Sequence, residues 1–472
     1  MSKKATITLV DEINCFISGL DLRTKGVIRK EYSYFKEGYF HSPKYQIGIW
    51  DGKKYLFNDG WFYNNLIDEG FLDLLSSRNY EVDIVDKRVK NPVELAPVTK
   101  EEFVFKKGDT VITLRDYQID AVNKALSNHS GMFLMGTGSG KTYTCAAIAT
   151  RFLSKGKVIV IVPTTDLVFQ TAKSFDEMGL DCGRFCGDIK EPKDVTVTTW
   201  QSLNNYRELF GDVVCLICDE AHGAKADVLF DMISESASNI VHRYGFTGTI
   251  PKDTLSQVLL RCSLGEIIFE KTTKELQDEG HLSECFINII QIKEPPEKIF
   301  KDFQDEYQYL TKDKSRTAFM TNMVSDLSKT GNTAVIMKNI KPAEALVEEL
   351  GEAAILITGK MKANKRKEYY SMMGKDTNHI FVCTDKVFAT GIDIPDLHNL
   401  VFFEIGKSFT TTIQAVGRVL RLAEGKEMAN LYDVCSTTKY SMKHLRERKK
   451  YYKEAGYPFA IRKVEKTRVN FK

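Results

Sequence analysis

The sequence predicts an α/β protein of several domains, built mainly on parallel sheets. At 472 residues the chain is too long for a single core, and its length suggests about three domains. From about residue 105 to 434, short apolar runs alternate with segments of helical spacing, the pattern of parallel strands with helices on both faces. One such run, Met132 to Met135, leads into a glycine-rich turn and then Lys141 and Thr142. Ala146, Ala147, Ile148, Phe152 and Leu153 follow at helical spacing, so this stretch reads as strand, phosphate-binding loop and helix.

Composition is that of an ordinary soluble protein, with 43% apolar and 27% charged residues. The longest apolar runs are strand-length, and MSKKATITLV lacks the apolar region of a signal peptide, so a cytoplasmic protein with no membrane partner is expected. Ten cysteines are scattered along the chain. Cys215 and Cys218 lie three apart in an apolar strand and face opposite sides, which favours reduced structural thiols over a zinc site. Net charge is +3, but residues 436 to 472 carry 12 Lys or Arg against 3 Asp or Glu. That basic stretch suits contact with a phosphate backbone and equally suits a solvated helix end.

Residues 1–100 form a small α+β unit. Gln46 to Trp50 and Lys53 to Phe57 flank Asp51-Gly52, which predicts a two-residue hairpin. Twelve aromatic residues fall between Tyr32 and Tyr63, interleaved with Lys36, Lys44, Lys53 and Lys54. Most should be core, with some free to stack on bases. Leu66, Ile67, Phe71, Leu72, Leu74 and Leu75 form an amphipathic segment, and Asn91-Pro92 and Ala96-Pro97 read as a linker.

Residues 101–272 carry the nucleotide chemistry. Gly136, Gly138 and Gly140 let backbone N–H groups turn inward around a phosphate, Lys141 reaches the β and γ phosphates, and the Thr142 hydroxyl holds Mg²⁺. Gln118 offers an amide that suits an adenine edge, or is simply a surface residue at a helix start. The strand Val158 to Val162 ends in Pro163-Thr164-Thr165, and Val195 to Thr199 ends at Trp200-Gln201. Polar residues at C-terminal strand ends lie on the ligand side of such a sheet. Val213 to Cys218 runs into Asp219-Glu220-Ala221-His222, where Asp219 suits the Mg²⁺ shell and Glu220 suits activation of a water molecule. Arg243 to Phe246 leads to Thr247-Gly248-Thr249, hydroxyl groups placed to relay nucleotide state.

Residues 273–440 repeat the alternation, with strands at Thr333 to Met337, Ala354 to Ile357, Ile380 to Cys383, Leu400 to Phe403 and Asn430 to Val434, and with no second phosphate loop. On a helix, Gln414, Arg418 and Arg421 share one face, where two arginines suit charge stabilisation on a transferring phosphate; a surface helix with salt bridges is the alternative. Residues 441–472 are the basic C-terminal segment.

GTGSGKT at 136 to 142, DEAH at 219 to 222 and QAVGRVLR at 414 to 421 together resemble the superfamily 2 helicases. The resemblance implies two tandem RecA-like domains that bind ATP and contact a nucleic-acid strand. It makes Gly136, Thr137, Gly138, Ser139, Gly140, Lys141 and Thr142 the phosphate loop, and Arg115 and Gln118 the adenine-recognition motif. It also implies that Pro163, Thr164, Thr199, Trp200 and Gln201 contact the strand, and that Thr384, Thr390, Gly391 and Asp393 join nucleotide and strand contacts. Gln414, Arg418 and Arg421 then act in hydrolysis with Lys141 and Glu220. Met135 and the central Gly248 depart from the family pattern. FHSPKYQIGIWDGKKYLF, from Phe40, resembles the N-terminal domain of phage UvsW-type helicases, which implies that the first domain grips duplex or junction DNA.

The expected protein is therefore an ATP- and Mg²⁺-dependent DNA helicase or translocase acting on forked and junction DNA, in a host cytoplasm if phage-encoded. A monomer is expected, since the catalytic parts all occur in one chain. An RNA helicase and an ATP-driven switch on duplex DNA are the alternatives.

Overall fold

The computed structural model describes residues 2–89, 93–107, 110–221, 226–295, 298–361, 365, 368–369, 372, 378–389, 396–406, 416–417, 420, 426 and 428–465. The chain divides into two compact units: Met1–Met135 with Gly140–Glu270, and Gly136–Ser139 with Lys271–Lys472.

The first unit contains an eight-stranded sheet. Its order is Ile189–Glu191, Gly183–Cys186, Val195–Thr199, Lys157–Val162, Val213–Cys218, His242–Thr247, Ser130–Met135 and Ile267–Lys271. The central strands pair in parallel. KVIVIV is buried on both faces from Val158 onward, which explains why it reads as a continuous apolar run, and VTVTT is buried throughout although its residues alternate between valine and threonine. Parallel pairing points the ends of Ser130–Met135, Lys157–Val162, Val195–Thr199 and Val213–Cys218 the same way, which gathers the predicted polar strand ends along one edge.

A second, four-stranded sheet in this unit has the order Trp61–Tyr63, Asn14–Ser18, Lys3–Leu9, Tyr80–Asp86. The hairpin expected at Asp51-Gly52 does not form. Pro43 opens a short helix, Pro43–Gln46, and Lys53–Tyr55 pairs with Ser33–Phe35 instead. Gly52 has φ +84°, its carbonyl accepts from Lys36 N–H, and an added Cβ would collide with the Tyr39 ring, so this glycine serves a close packing contact. Of the twelve aromatic residues, Phe57 and Phe62 are fully buried, whereas Phe35, Phe40 and Trp61 are about half exposed.

This small sheet is fastened to two helices of the larger one, Ala226–Ser236 and Thr254–Leu264. Phe230, Leu255, Leu259 and Cys262 join the apolar cluster of Phe57, Phe62 and Phe71. Around it, Lys36 pairs with Asp227 at 2.7 Å and Lys54 with Asp231 at 3.0 Å. Asn65 donates to the Arg261 carbonyl at 2.8 Å, and Arg261 pairs with Asp68 at 3.1 Å.

The second unit is a seven-stranded, all-parallel sheet. Its order is Ala354–Ile357, Ile380–Thr384, Thr333–Met337, Asn399–Phe403, Met428–Ser436, Glu284–Ile292, Phe459–Val464. The basic C-terminal stretch is partly built into this sheet. It supplies the helix Lys439–Glu454 and the edge strand Phe459–Val464. Arg448 is fully buried and grips both oxygens of Asp433, at 2.9 and 2.7 Å, while Tyr452 donates to the same carboxylate at 2.8 Å. These two side chains are therefore structural and do not present charge to a phosphate backbone. A second buried network joins Arg316 to Glu294 at 2.9 Å and to Glu404 at 2.5 Å.

All ten cysteines are buried free thiols, and among the described residues no helix is long and apolar enough to cross a membrane.

His242 opens the strand His242–Thr247 and its side chain is buried, its Nε2 accepting from Val93 N–H at 3.0 Å. Burial, with the nearby His129 and Arg243, depresses its pKa to about 4, against about 6.5 in the unfolded chain. Between these values only the unfolded state binds the proton, so stability present above pH ~6.5 is lost as pH falls through this window. The urea midpoint should drop between pH ~7 and ~4.5, with His242 contributing up to about 3 kcal/mol. The drop should be shallower in His242→Gln; an identical slope in the variant would assign it to other groups.

Candidate nucleotide and strand-binding site

The glycine-rich loop leaves the strand Ser130–Met135 and enters the helix Lys141–Leu153. Gly138 and Gly140 hold φ of +85° and +76°, a backbone region that glycine adopts without cost. The helix begins at Gly140 with no side-chain cap, which leaves its amino end open to an anion. Gln118 braces this turn: its Oε1 accepts from Arg115 N–H at 2.8 Å and its Nε2 donates to the Gly140 carbonyl at 3.3 Å. The Gln118 amide therefore holds the loop backbone in this structure. Met135 is fully buried, which accommodates its departure from the family pattern as a packing change.

Lys141 lies beside the acid pair, its Nζ 3.5 Å from Glu220 Oε1 and 3.3 Å from the Met135 carbonyl. Burial acts to lower the Lys141 pKa, but the charges of Glu220 and Asp219 outweigh it and leave the ammonium above its ordinary value. Asp219 behaves oppositely. Burial and then the charge of Glu220 push its pKa up to about 6, with Lys141 offsetting part of the rise. A buried carboxylate of raised proton affinity gains from a divalent cation, and the Asp219 carboxylate with the Thr142 hydroxyl is a hard-oxygen donor set that fits Mg²⁺.

Glu220 sits at φ +47°, a left-handed conformation that costs a non-glycine residue of order 1 kcal/mol or more. Three hydrogen bonds hold it there: Asp219 N–H donates to the Ile161 carbonyl, Glu220 N–H to the Asp219 side-chain Oδ1 at 2.9 Å, and Ala221 N–H to the Phe246 carbonyl. That last bond ties the acid pair to the strand ending at Thr247. The Thr247 hydroxyl donates to the Thr249 carbonyl at 2.7 Å and accepts from Thr249 N–H at 3.2 Å, a self-closed turn.

At the neighbouring strand ends, Pro163, Thr164, Thr199 and Gln201 line one cavity of about 540 Å³. Trp200 is not part of it. Its ring packs against the apolar core and borders a crevice with Pro163, Asp219 and Glu220, because the helix starting at Trp200 turns successive side chains to different sides. In the second unit, Thr384 lines a cavity of about 840 Å³ with Lys338, Asn339 and Lys341. His222, Thr390, Gly391, Asp393, Gln414, Arg418 and Arg421 lie outside the described residues. Their neighbour Gly417 is described, and within the second unit a Cβ there would collide with Thr137.

Sequence reasoning missed the hairpin that adds Lys190 to the first cavity and the lysines of the second. Gly187-Asp188 between two short runs was the available signal for the hairpin.

Gly140→Ala should weaken ATP binding by roughly tenfold or more, since a Cβ at φ +76° is strained and would strike Gln118 Nε2. Titration with a fluorescent ATP analogue, alongside an unchanged circular dichroism spectrum, is the check.

Two family models match the chain: "Type III restriction enzyme, res subunit" over residues 111–252 and "Helicase conserved C-terminal domain" over residues 314–423. Together they cover just over half of it. The ATP-dependent DNA helicase uvsW of Enterobacteria phage T4 is 26% identical over 453 residues, covering 90% of this chain and 89% of that protein. The probable ATP-dependent RNA helicase DDX47 of Mus musculus is 25% identical over 331 residues, covering 64% of this chain and 67% of that protein. Among solved structures, the DEAD-box helicase Mss116 bound to ssRNA and UDP-BeF shares the fold, with a TM-score of 0.56 at 18% identity over 75% of each chain. A phosphate loop and a part-buried acid pair on one largely parallel sheet, followed by a second parallel sheet, agree with both matched models: the chain belongs to the superfamily 2 helicases and is an ATP-driven helicase.

Proposed function

We propose that this chain is a Mg²⁺-dependent DNA helicase or translocase that unwinds or branch-migrates forked and junction DNA in recombination, repair or replication. One observation carries the choice of DNA. The likeness to the phage T4 DNA helicase extends over 90% of the chain, so it takes in much of the first hundred residues, which the 64% covered by the RNA-helicase match need not include. That first segment is the small sheet fastened to the helices Ala226–Ser236 and Thr254–Leu264. Its half-exposed Phe35 and Phe40, with the Lys53 ammonium 4.8 Å from the Phe35 ring, support a role in gripping duplex or junction DNA.

In this reading Lys141 and the backbone of Gly136 to Thr142 bind the ATP phosphates. Thr142 and Asp219 hold Mg²⁺, which supplies positive charge at those phosphates. Glu220 takes the proton of the attacking water, a role supported by its position 3.5 Å from Lys141. Gln414, Arg418 and Arg421 stabilise charge on the transferring phosphate, while Arg115 and Gln118 border the adenine, and Gly391 and Asp393 complete the nucleotide contacts. The strand runs along Pro163, Thr164, Thr199, Gln201, Thr384 and Thr390, while the ring of Trp200, expected from the sequence to join them, packs against the core instead. The protein acts as a monomer in the cytoplasm of the host cell.

The deciding experiment is steady-state ATPase with single-stranded DNA, duplex, a four-way junction and RNA in parallel, across salt because phosphate contacts are salt-sensitive. Strongest stimulation is expected with the junction, together with strand displacement on a forked duplex. Strongest stimulation by RNA would move the substrate to RNA, and stimulation without displacement would leave a translocase or switch. Glu220→Gln should lower turnover by roughly 10²- to 10⁴-fold with the fold intact, as judged by circular dichroism; turnover at the wild-type rate would remove Glu220 from the role of base.

A further inference from the structure

We propose that Lys190 is a phosphate contact for the nucleic-acid strand, held in place by an aromatic cradle that belongs to none of the expected strand-contacting segments. The proposal rests on the reading that the strand crosses the sheet edge at Thr164, Thr199 and Gln201, and it extends that site to a hairpin beside it.

The hairpin consists of Gly183–Cys186 and Ile189–Glu191, turning at Gly187-Asp188 with Gly187 at φ +52°. It lies at the end of the eight-stranded sheet, next to Val195–Thr199. Phe185 stands directly opposite Lys190 in the hairpin register and is itself buried. Its carbonyl accepts from the buried Thr198 hydroxyl at 2.7 Å, which fixes the hairpin to the strand that ends in Thr199. The Lys190 ammonium sits 4.3 Å from the Phe185 ring centroid and 5.0 Å from that of Tyr206, and the two rings meet edge to face at 5.0 Å. A cation gains from the faces of two rings, and the pair restricts a side chain that would otherwise sweep freely through solvent.

The neighbouring cations differ from Lys190. Arg184 pairs with Asp176 at 2.8 Å and Lys193 with Asp181. Among the described residues Lys190 has no carboxylate partner, although it is exposed and lines the same cavity of about 540 Å³ as Thr164, Thr199, Gln201 and Asn205. The cavity thus offers one uncompensated, positioned positive charge among hydroxyl and amide groups. A phosphodiester matches that set: one negative charge, with oxygens that accept from Thr, Asn and Gln side chains. A cradle serving only to fasten the hairpin to Tyr206 would not require the charge to remain uncompensated.

The two roles separate by salt dependence. Binding of the full-length chain to a fluorescent single-stranded DNA oligonucleotide is measured by anisotropy over a range of sodium chloride for wild type, Lys190→Met, Lys190→Arg and Gln201→Ala. Lys190→Met should weaken binding roughly tenfold at low salt and reduce the slope of log K against log salt by about 0.7, the loss of one phosphate contact on a single strand. Lys190→Arg should restore the slope. A Lys190→Met slope equal to wild type, with Gln201→Ala binding weakened, would overturn the role of Lys190 while leaving the strand path standing. If neither variant alters binding, the strand path itself falls, and the role of Lys190 with it.

Discussion

The constraint on which the first unit turns is the meeting of one ammonium and two carboxylates at the ends of buried parallel strands. Lys141, Asp219 and Glu220 are far apart in sequence, yet Lys141 and Glu220 lie 3.5 Å apart. Burial by itself disfavours the charged forms of Lys141 and Asp219. The two carboxylates outweigh burial at Lys141 and keep its pKa above the ordinary value, whereas at Asp219 the charge of Glu220 adds to burial and Lys141 offsets part of the rise to about 6. The strained Glu220 backbone belongs to the same arrangement, since two hydrogen bonds from its neighbours to adjoining strands, and one from its own N–H to Asp219 Oδ1, hold it in a conformation it would not otherwise keep. A site of this kind is preorganised, because its costs are met on folding and not when ATP arrives.

The small N-terminal sheet depends on that same unit. Its core is completed by Phe230 from one helix and by Leu255, Leu259 and Cys262 from another. The first of these helices follows the acid pair in sequence, and the second follows Thr247 to Thr249. The N-terminal sheet thus shares one core with the helices that follow these two segments. In the second unit the equivalent long-range ties are ionic. Arg316 with Glu294 and Glu404, and Arg448 with Asp433, bind strands to helices in a fully buried setting. Removing one partner from such a pair leaves an uncompensated buried charge, which is strongly destabilising.

Much of the fold was legible from residue patterns alone, and the reason is physical. The central strands of both sheets are buried on both faces, so Lys157–Val162, Val213–Cys218, Thr333–Met337 and Ile380–Thr384 appear as unbroken apolar runs. The edge and antiparallel elements carried weaker signals. Lys53–Tyr55 is only half buried, the outer strand of the hairpin at Gly187 is largely exposed, and Asp51-Gly52 presented a strong turn signature whose glycine is used to admit the Tyr39 ring. The strand Glu284–Ile292 was not anticipated as the partner of both Met428–Ser436 and Phe459–Val464, since pairing choice leaves no trace in a strand's own composition.

By itself, the sequence determined the chemistry: a glycine loop ending in Lys-Thr, an acid pair after an apolar strand, and the order in which they occur. These are local, because backbone permissiveness, charge and hydrogen-bonding capacity belong to the residues themselves. Only the tertiary structure decided which charges remain available. Arg448 is spent on Asp433 and Lys193 on Asp181, whereas Lys190 stands on two aromatic rings with no ion-pair partner among the described residues. In sequence all three are simply basic residues. What separates them is burial and the arrival of a carboxylate or a ring from elsewhere in the chain, and that is a property of packing.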